Sequence, residues 1–196
     1  MSQQSRLSVL VPVLGFSIFL CLLIATPPLA LTRHLPIGRG SVSIYLLVLC
    51  LAAAWYTTST AWVAQRVTYP LFGVVGKDRF LAYYAAYETW IPVPVICPVL
   101  LLMILSVLFI WFRPLEVPSW LAWSGLAIET GIGLSTVALQ VPAHNALSRG
   151  GFDTATHSKL VKTNWIRTIA VTLHALLLSW AVLHILLASS WAVGHE

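Results

Sequence analysis

His144, His157, Asn164 and Arg167 are the residues of this sequence best suited to chemistry. An imidazole moves protons near neutral pH, and an amide beside a guanidinium stabilises an anion that forms next to them. Spacings of three and four place Trp55, Thr58, Trp62, Gln65 and Tyr69 on one helix face. The same spacing groups Glu129, Gly133, Thr136, Gln140 and His144 on a second face. Asn164, Arg167 and His174 share a third, because seven residues make nearly two turns. Tyr84, Tyr87 and Glu88 fall at the level where these stripes end, and Trp165 adds an aromatic surface there. The set predicts a substrate pocket lined by Trp62, Gln65, Tyr69, Tyr84, Glu88, Gln140 and Trp165, with His144, His157, Asn164 and Arg167 as its catalytic groups. Glu129 and His174 lie deeper, and Glu129 is expected to meet His174 or a hydroxyl.

The elements that must position these residues are membrane helices. The chain has 196 residues, 59% hydrophobic and only 9% charged, with a mean hydropathy of +0.87, which excludes a soluble domain. Its 11 Gly, 11 Pro and 3 Cys are too few for a collagen-like chain, a disordered chain or a disulfide scaffold. Segments near 7–31, 42–64, 90–112, 117–141 and 165–193 are each long and apolar enough to span a bilayer, and none alternates like a barrel strand. The expected fold is all-α, a polytopic transmembrane bundle of five helices forming one integral membrane domain over 1–196. In it a helix at 7–31 precedes a four-helix core at 42–193. The first segment is expected to be retained, since no clear small-x-small cleavage site precedes a polar mature start. Amide, carboxylate and guanidinium groups are costly in lipid, so the three stripes should face one another.

Alternate loops carry unequal charge. Arg6, Arg66, Lys77, Arg79, Arg149, Lys159, Lys162 and Arg167 fall on one side and Arg33, Arg39 and Arg113 on the other. The positive-inside rule then predicts a cytoplasmic N-terminus, an external C-terminus and a pocket near the cytoplasmic face. The formal charge of +5 is scattered over membrane-edge loops, which points to the lipid bilayer and away from nucleic acid. Two polar stretches, 65–89 and 143–164, exceed what a helix connection needs. In the second, Gly150-Gly151 is a turn signal and 154–162 suits a short amphipathic surface helix. Cys21, Cys50 and Cys97 are expected as packing thiols, and His184 as a packed histidine. Trp111, Trp120, Trp123 and Trp191 suit interface anchors, and Trp62, Trp165 and Arg167 have anchoring or snorkelling as their simpler alternative.

No compact metal motif is present, so the cofactor is unknown. A metal assembled from separate helices, or a haem between His144 and His174, is open.

The stretch from Gln140 to Thr168 carries Pro142, His144, Asn145 and Leu147, then Asn164, Trp165 and Arg167. It resembles small bacterial membrane proteins and, more distantly, the anthrone-oxygenase-like membrane family. In that family a Pro followed by Asn or His and then Leu ends one helix, and a Trp/Asn-x-x-Arg pattern opens the next. The resemblance extends through Trp62, Gln65, Tyr69, Pro70 and Phe72 over the last four helices, and the extra first helix departs from it. It implies a bacterial inner-membrane protein that oxidises an activated aromatic carbon with dioxygen. His144 or His157 would be the base, with Arg167 and Asn164 stabilising an enolate-like anion.

Two functions therefore compete. One is an oxidoreductase acting on a lipophilic aromatic or quinone-like molecule. The other is a non-catalytic accessory subunit of a larger membrane complex, whose polar stripes specify helix pairing and which binds other membrane subunits or a pigment. A transporter ranks behind both, because five spans show no inverted halves.

Overall fold

The computed structural model describes residues 39–193, with side chains for 40–188. The expected span at 7–31, Cys21 and the side chain of Trp191 lie outside the described residues. Five helices are described. Helix α1 comprises Arg39–Val63, a π turn at Ala64–Thr68 and Tyr69–Phe72. Helix α2 is Lys77–Trp90, and α3 joins a π turn at Pro92–Ile96 to Cys97–Phe112. Helix α4 comprises Ser119–Ser135, a π turn at Thr136–Gln140 and Val141–Gly150, and α5 is Thr154–Val193. Four of them contain stretches long and apolar enough to cross a membrane: Gly40–Phe72, Pro92–Phe112, Ser119–Gly150 and Thr154–Ala188. The chain is a multi-pass helical membrane protein.

The four long helices form a ring in which α1 packs on α3, α3 on α4, α4 on α5 and α5 back on α1. Because they alternate in direction, the end of α1, the start of α3, the end of α4 and the start of α5 all meet at one end of the bundle. Helix α2 sits there too, against the last turns of α4. Spans of 33, 32 and 35 residues correspond to about 50 Å of helix, well beyond a hydrocarbon core of about 30 Å. The surplus lies at this shared end.

Two sequence expectations change for that reason. The stretches 65–89 and 143–164 are mostly continuations of the membrane helices plus α2. Residues 154–162 are the first turns of a 40-residue helix, not a separate surface helix. Their apolar residues bury against neighbours instead of lipid: Phe72, Phe80, Tyr84, Leu147 and Leu160 form a closed cluster. Gly151 makes the turn from α4 to α5 with φ +80, a conformation that favours glycine. Asp153 then caps α5, its Oδ2 accepting from the Thr156 N–H at 2.7 Å. The hydrogen bonds from Thr156 hold the exposed Asp153 carboxyl below its usual range.

At the opposite end Arg113 closes the loop from α3 to α4, donating through Nε to the Val117 carbonyl and through Nη1 to that of Ile110. Trp111, Trp120 and Trp123 are exposed on the outside of the bundle, as anchors would be. His184, expected to be packed, is exposed and stacks on Trp180 at 5.1 Å. Cys50 is a buried packing thiol, whereas Cys97 faces outward, and both are free.

Midway along the bundle, His174 of α5 and Glu129 of α4 are fully buried, with Nδ1 and Oε1 2.8 Å apart. The imidazole fits because residue 125 has no side chain: a Cβ there would lie 2.6 Å from His174 Nε2. Gly125→Ala must therefore push an imidazole that Glu129 already holds, at a cost of about 1–3 kcal/mol. A clear fall in the apparent melting midpoint of the purified variant in detergent is expected, and an unchanged midpoint would contradict this packing.

Candidate functional site

Proline placement builds the site. Pro70, Pro98 and Pro142 each stand two residues after a π turn, at Ala64–Thr68, Pro92–Ile96 and Thr136–Gln140. A proline has no N–H and its ring collides with the carbonyl four residues back, so an ordinary turn cannot hold there. The widened turn moves that carbonyl aside. The residue before each proline donates five residues back instead, Tyr69 to Ala64, Cys97 to Pro92 and Val141 to Thr136.

Each π turn also inserts an extra residue, which rotates the remainder of the helix by about 100°. On α1 this separates Trp62 from Tyr69, which uninterrupted helical spacing would stack on one face. Tyr69 and Gln65 turn inward and are buried, while Trp62 stays 40% exposed on the flank. There its indole N–H donates to Thr172 Oγ1 at 3.1 Å, and its ring meets Trp165 edge-on at 5.5 Å. Trp62 and Trp165 therefore line the outside of the α1–α5 seam, not the interior pocket expected for them.

His144 is the centre of the interior. Its Nε2 lies 3.2 Å from the Tyr69 hydroxyl and its Nδ1 2.5 Å from that of Tyr84. The Tyr87 ring stacks on the imidazole at 6.1 Å. Arg167 Nη2 donates to the Tyr69 hydroxyl at 3.4 Å. A neutral imidazole has one donor and one acceptor nitrogen, so one phenol gives it a proton while the other receives its N–H. Reversing both bonds transfers a proton from one phenol side to the other, which makes Tyr84–His144–Tyr69 a relay ending at a guanidinium.

The relay has an aqueous-side neighbour. Glu88, one turn after Tyr84, accepts from Ser148 Oγ at 2.9 Å. Burial holds the Glu88 carboxyl above the usual carboxylate range, opposed by the Ser148 bond. Burial first, then the nearby charges of Glu88 and Tyr69, pushes the Tyr84 phenol far above its ordinary value. Tyr87 is raised too, by burial above all, with Arg167 opposing. Both phenols stay protonated and so remain donors.

Beside the relay lies an amide network. Gln65 Nε2 donates to the Val161 carbonyl at 3.1 Å, Asn164 Nδ2 to Gln65 Oε1 at 2.7 Å, and Gln140 Nε2 to the Thr163 carbonyl at 3.2 Å. Gln140 Oε1, Asn164 Oδ1 and Arg167 Nε are buried with no hydrogen-bond partner.

No family model, curated protein or solved structure matches this chain.

The other sequence-selected residues are placed differently. His157 Nε2 lies 2.7 Å from the Tyr69 carbonyl, which the break after Phe72 leaves without a helical donor. His157 thus ties α5 to the end of α1 through Nε2. Glu129 and His174 form a separate pair, and the fifteen residues from Glu129 to His144 correspond to about 22 Å of helix. A haem held by His144 and His174 is therefore not assembled. Among the described residues no three His, Cys, Asp or Glu side chains converge as a metal site. Ser148 and Thr168 were not singled out from the sequence. Ser148 follows His144 by one helical turn, and Thr168 follows Asn164 likewise and accepts from its Nδ2 at 3.3 Å.

Glu88 yields a test. Its folded carboxyl binds a proton more tightly than the unfolded one, so its contribution to stability is full at low pH and fades as pH rises through the folded value. Glu88→Gln fixes the neutral state. The variant should melt like the wild type at about pH 4 and above it at about pH 8, whereas a variant melting below wild type at the higher pH would contradict the assignment.

Proposed function

We propose that this chain is an oxygenase-like membrane oxidoreductase acting on a lipophilic aromatic or quinone-like molecule, with His144 as its proton-transfer centre. The observation that carries this is the imidazole bonded through both nitrogens to phenols, one of them in contact with Arg167. Such a relay suits a substrate with an activated C–H. The proton leaves through Tyr69 or Tyr84 to His144, and the resulting enolate-like anion is stabilised by the Arg167 guanidinium. Dioxygen then accepts an electron pair from the carbanion carbon, forming a C–O bond and, with the returned proton, a hydroperoxide. Loss of water gives the carbonyl. One activated methylene and one dioxygen thus become one ketone and one water, and the substrate supplies all the electrons.

The same proposal sets the relay at the cytoplasmic face of a bacterial inner membrane, with the N-terminus inside and the C-terminus outside. It rests on the unequal distribution of cations.

The accessory-subunit alternative is favoured by one observation. Gln65, Gln140 and Asn164 use their N–H groups to join α1, α4 and α5, as residues that specify helix pairing would. A stable, stoichiometric complex recovered from native membranes, combined with no oxygen uptake on any substrate, would select it.

Oxygen uptake by the purified protein in lipid nanodiscs, with anthrone-like and quinol substrates, tests the enzyme. His144→Gln should lower turnover by about 10²–10⁴-fold while leaving the helical melt in place. Turnover that is equal in wild type and variant would remove His144 from the chemistry.

A further inference from the structure

Three buried side-chain atoms beside the relay lack partners: Gln140 Oε1 on α4, and Asn164 Oδ1 and Arg167 Nε on α5. Gln140 reaches α5 at the Thr163 carbonyl, 3.2 Å from its Nε2, and that carbonyl points along the helix toward residue 167. The Gln140 amide thus lies over the turn that carries Asn164 and Arg167, two residues three apart on one helix face. Gln140 and Asn164 are 1% and 0% exposed, so water from outside does not reach their free oxygens.

Which amide atoms are free is fixed by the backbone. The Val161 carbonyl can only accept, so it orients the Gln65 NH2 toward itself and leaves Gln65 Oε1 as an acceptor. Gln65 Oε1 in turn requires the Asn164 NH2, leaving Asn164 Oδ1 free. The Thr163 carbonyl orients Gln140 in the same way and leaves its Oε1 free. Flipping any of these amides would set two acceptors against each other. The unmet set is therefore two acceptors, Gln140 Oε1 and Asn164 Oδ1, and one donor, Arg167 Nε.

We infer that these three atoms form a binding subsite for a neutral aromatic ring bearing adjacent hydroxyl groups. Two O–H groups donate to the two amide oxygens, and a hydroxyl oxygen accepts from Arg167 Nε. A quinone carbonyl or a carboxylate has no proton to give and would face both amide oxygens as a third acceptor. The subsite therefore favours a hydroxylated ring over a quinone, and the hydroxyls it holds orient the ring without being the atoms that react. This deepens the proposed function, on which it rests, by naming the chemistry of its guest. Hydroxylic oxygen has two sources here, ring hydroxyls or a bound water, which offers the same two donors.

The test needs no turnover. Binding of 2,3-dihydroxynaphthalene and of its acceptor-only analogue 2,3-dimethoxynaphthalene is measured on wild-type protein in nanodiscs, with each concentration corrected for partition into lipid. The diol should bind at least about tenfold tighter, because the ether leaves buried acceptors unmet. Gln140→Met keeps the length of the side chain and removes its free oxygen, so it should shrink that preference while leaving the ether unchanged. Equal binding of diol and ether to wild type, or an ordered water that persists between the three atoms in the presence of diol, would overturn the inference. Since binding is read without oxygen uptake, loss of the preference and loss of His144-dependent turnover are separate results.

Discussion

A proline inside a lipid-spanning helix leaves a carbonyl without its donor where no water can replace it. This chain meets that constraint three times with a π turn in the same register, ahead of Pro70, Pro98 and Pro142. The consequence is positional. Two of these turns rotate Tyr69 and His144 toward each other and set Gln65 and Gln140 against α5. The polar interior at this end of the bundle is therefore a product of backbone geometry as much as of side-chain choice.

The bundle divides into layers that separate its two polar centres. Ala61, Ile132 and Val171 form a buried apolar layer, with Ile128 and Ala170 packed on it. By position on α4 and α5 it stands between the Glu129–His174 pair and the His144 network. Beyond the pair, Leu47, Leu102, Leu121 and Leu178 belong to the large apolar core of the other half. The Glu129–His174 bond thus joins α4 to α5 in a dry setting, where leaving a buried polar group without its partner is costly. The His144 network instead lies at the bundle end, where Glu88 and Ser148 bond to each other one helical turn beyond Tyr84 and His144.

Class and the four membrane spans among the described residues were legible because hydropathy over about 20 residues is a strong signal. The pairing of Glu129 with His174 was legible too, since a deep carboxylate must find a partner. The inward placement of Gln65, Gln140 and Asn164 was legible because amides are costly in lipid, whereas Tyr69 is carried inward by a π turn that unbroken three-and-four spacing does not contain. Trp62 was not placed, because the spacing rule assumes an unbroken helix and the π turn before Pro70 breaks the phase; Trp165, which belongs to no spaced stripe, meets it on the same flank. The anchoring of His157 was not legible either: its partner is a backbone carbonyl freed by the end of α1, and sequence patterns do not display carbonyls. The surface helix expected at 154–162 failed because helix length depends on tertiary partners such as Phe72 and Leu147, which take up apolar faces that would otherwise need lipid.

The central claim is that an imidazole is held between two phenols inside the bundle. Solid-state NMR on protein in lipid bilayers, labelled with 15N-histidine and 13C-tyrosine, measures this directly. Both ring nitrogens of His144 should show close contacts to tyrosine ring carbons, one set lost in Tyr84→Phe and the other in Tyr69→Phe as the ring loses its anchor. Contacts from His144 to lipid chains or bulk water, with none to tyrosine, would contradict the structure on which the proposed chemistry stands.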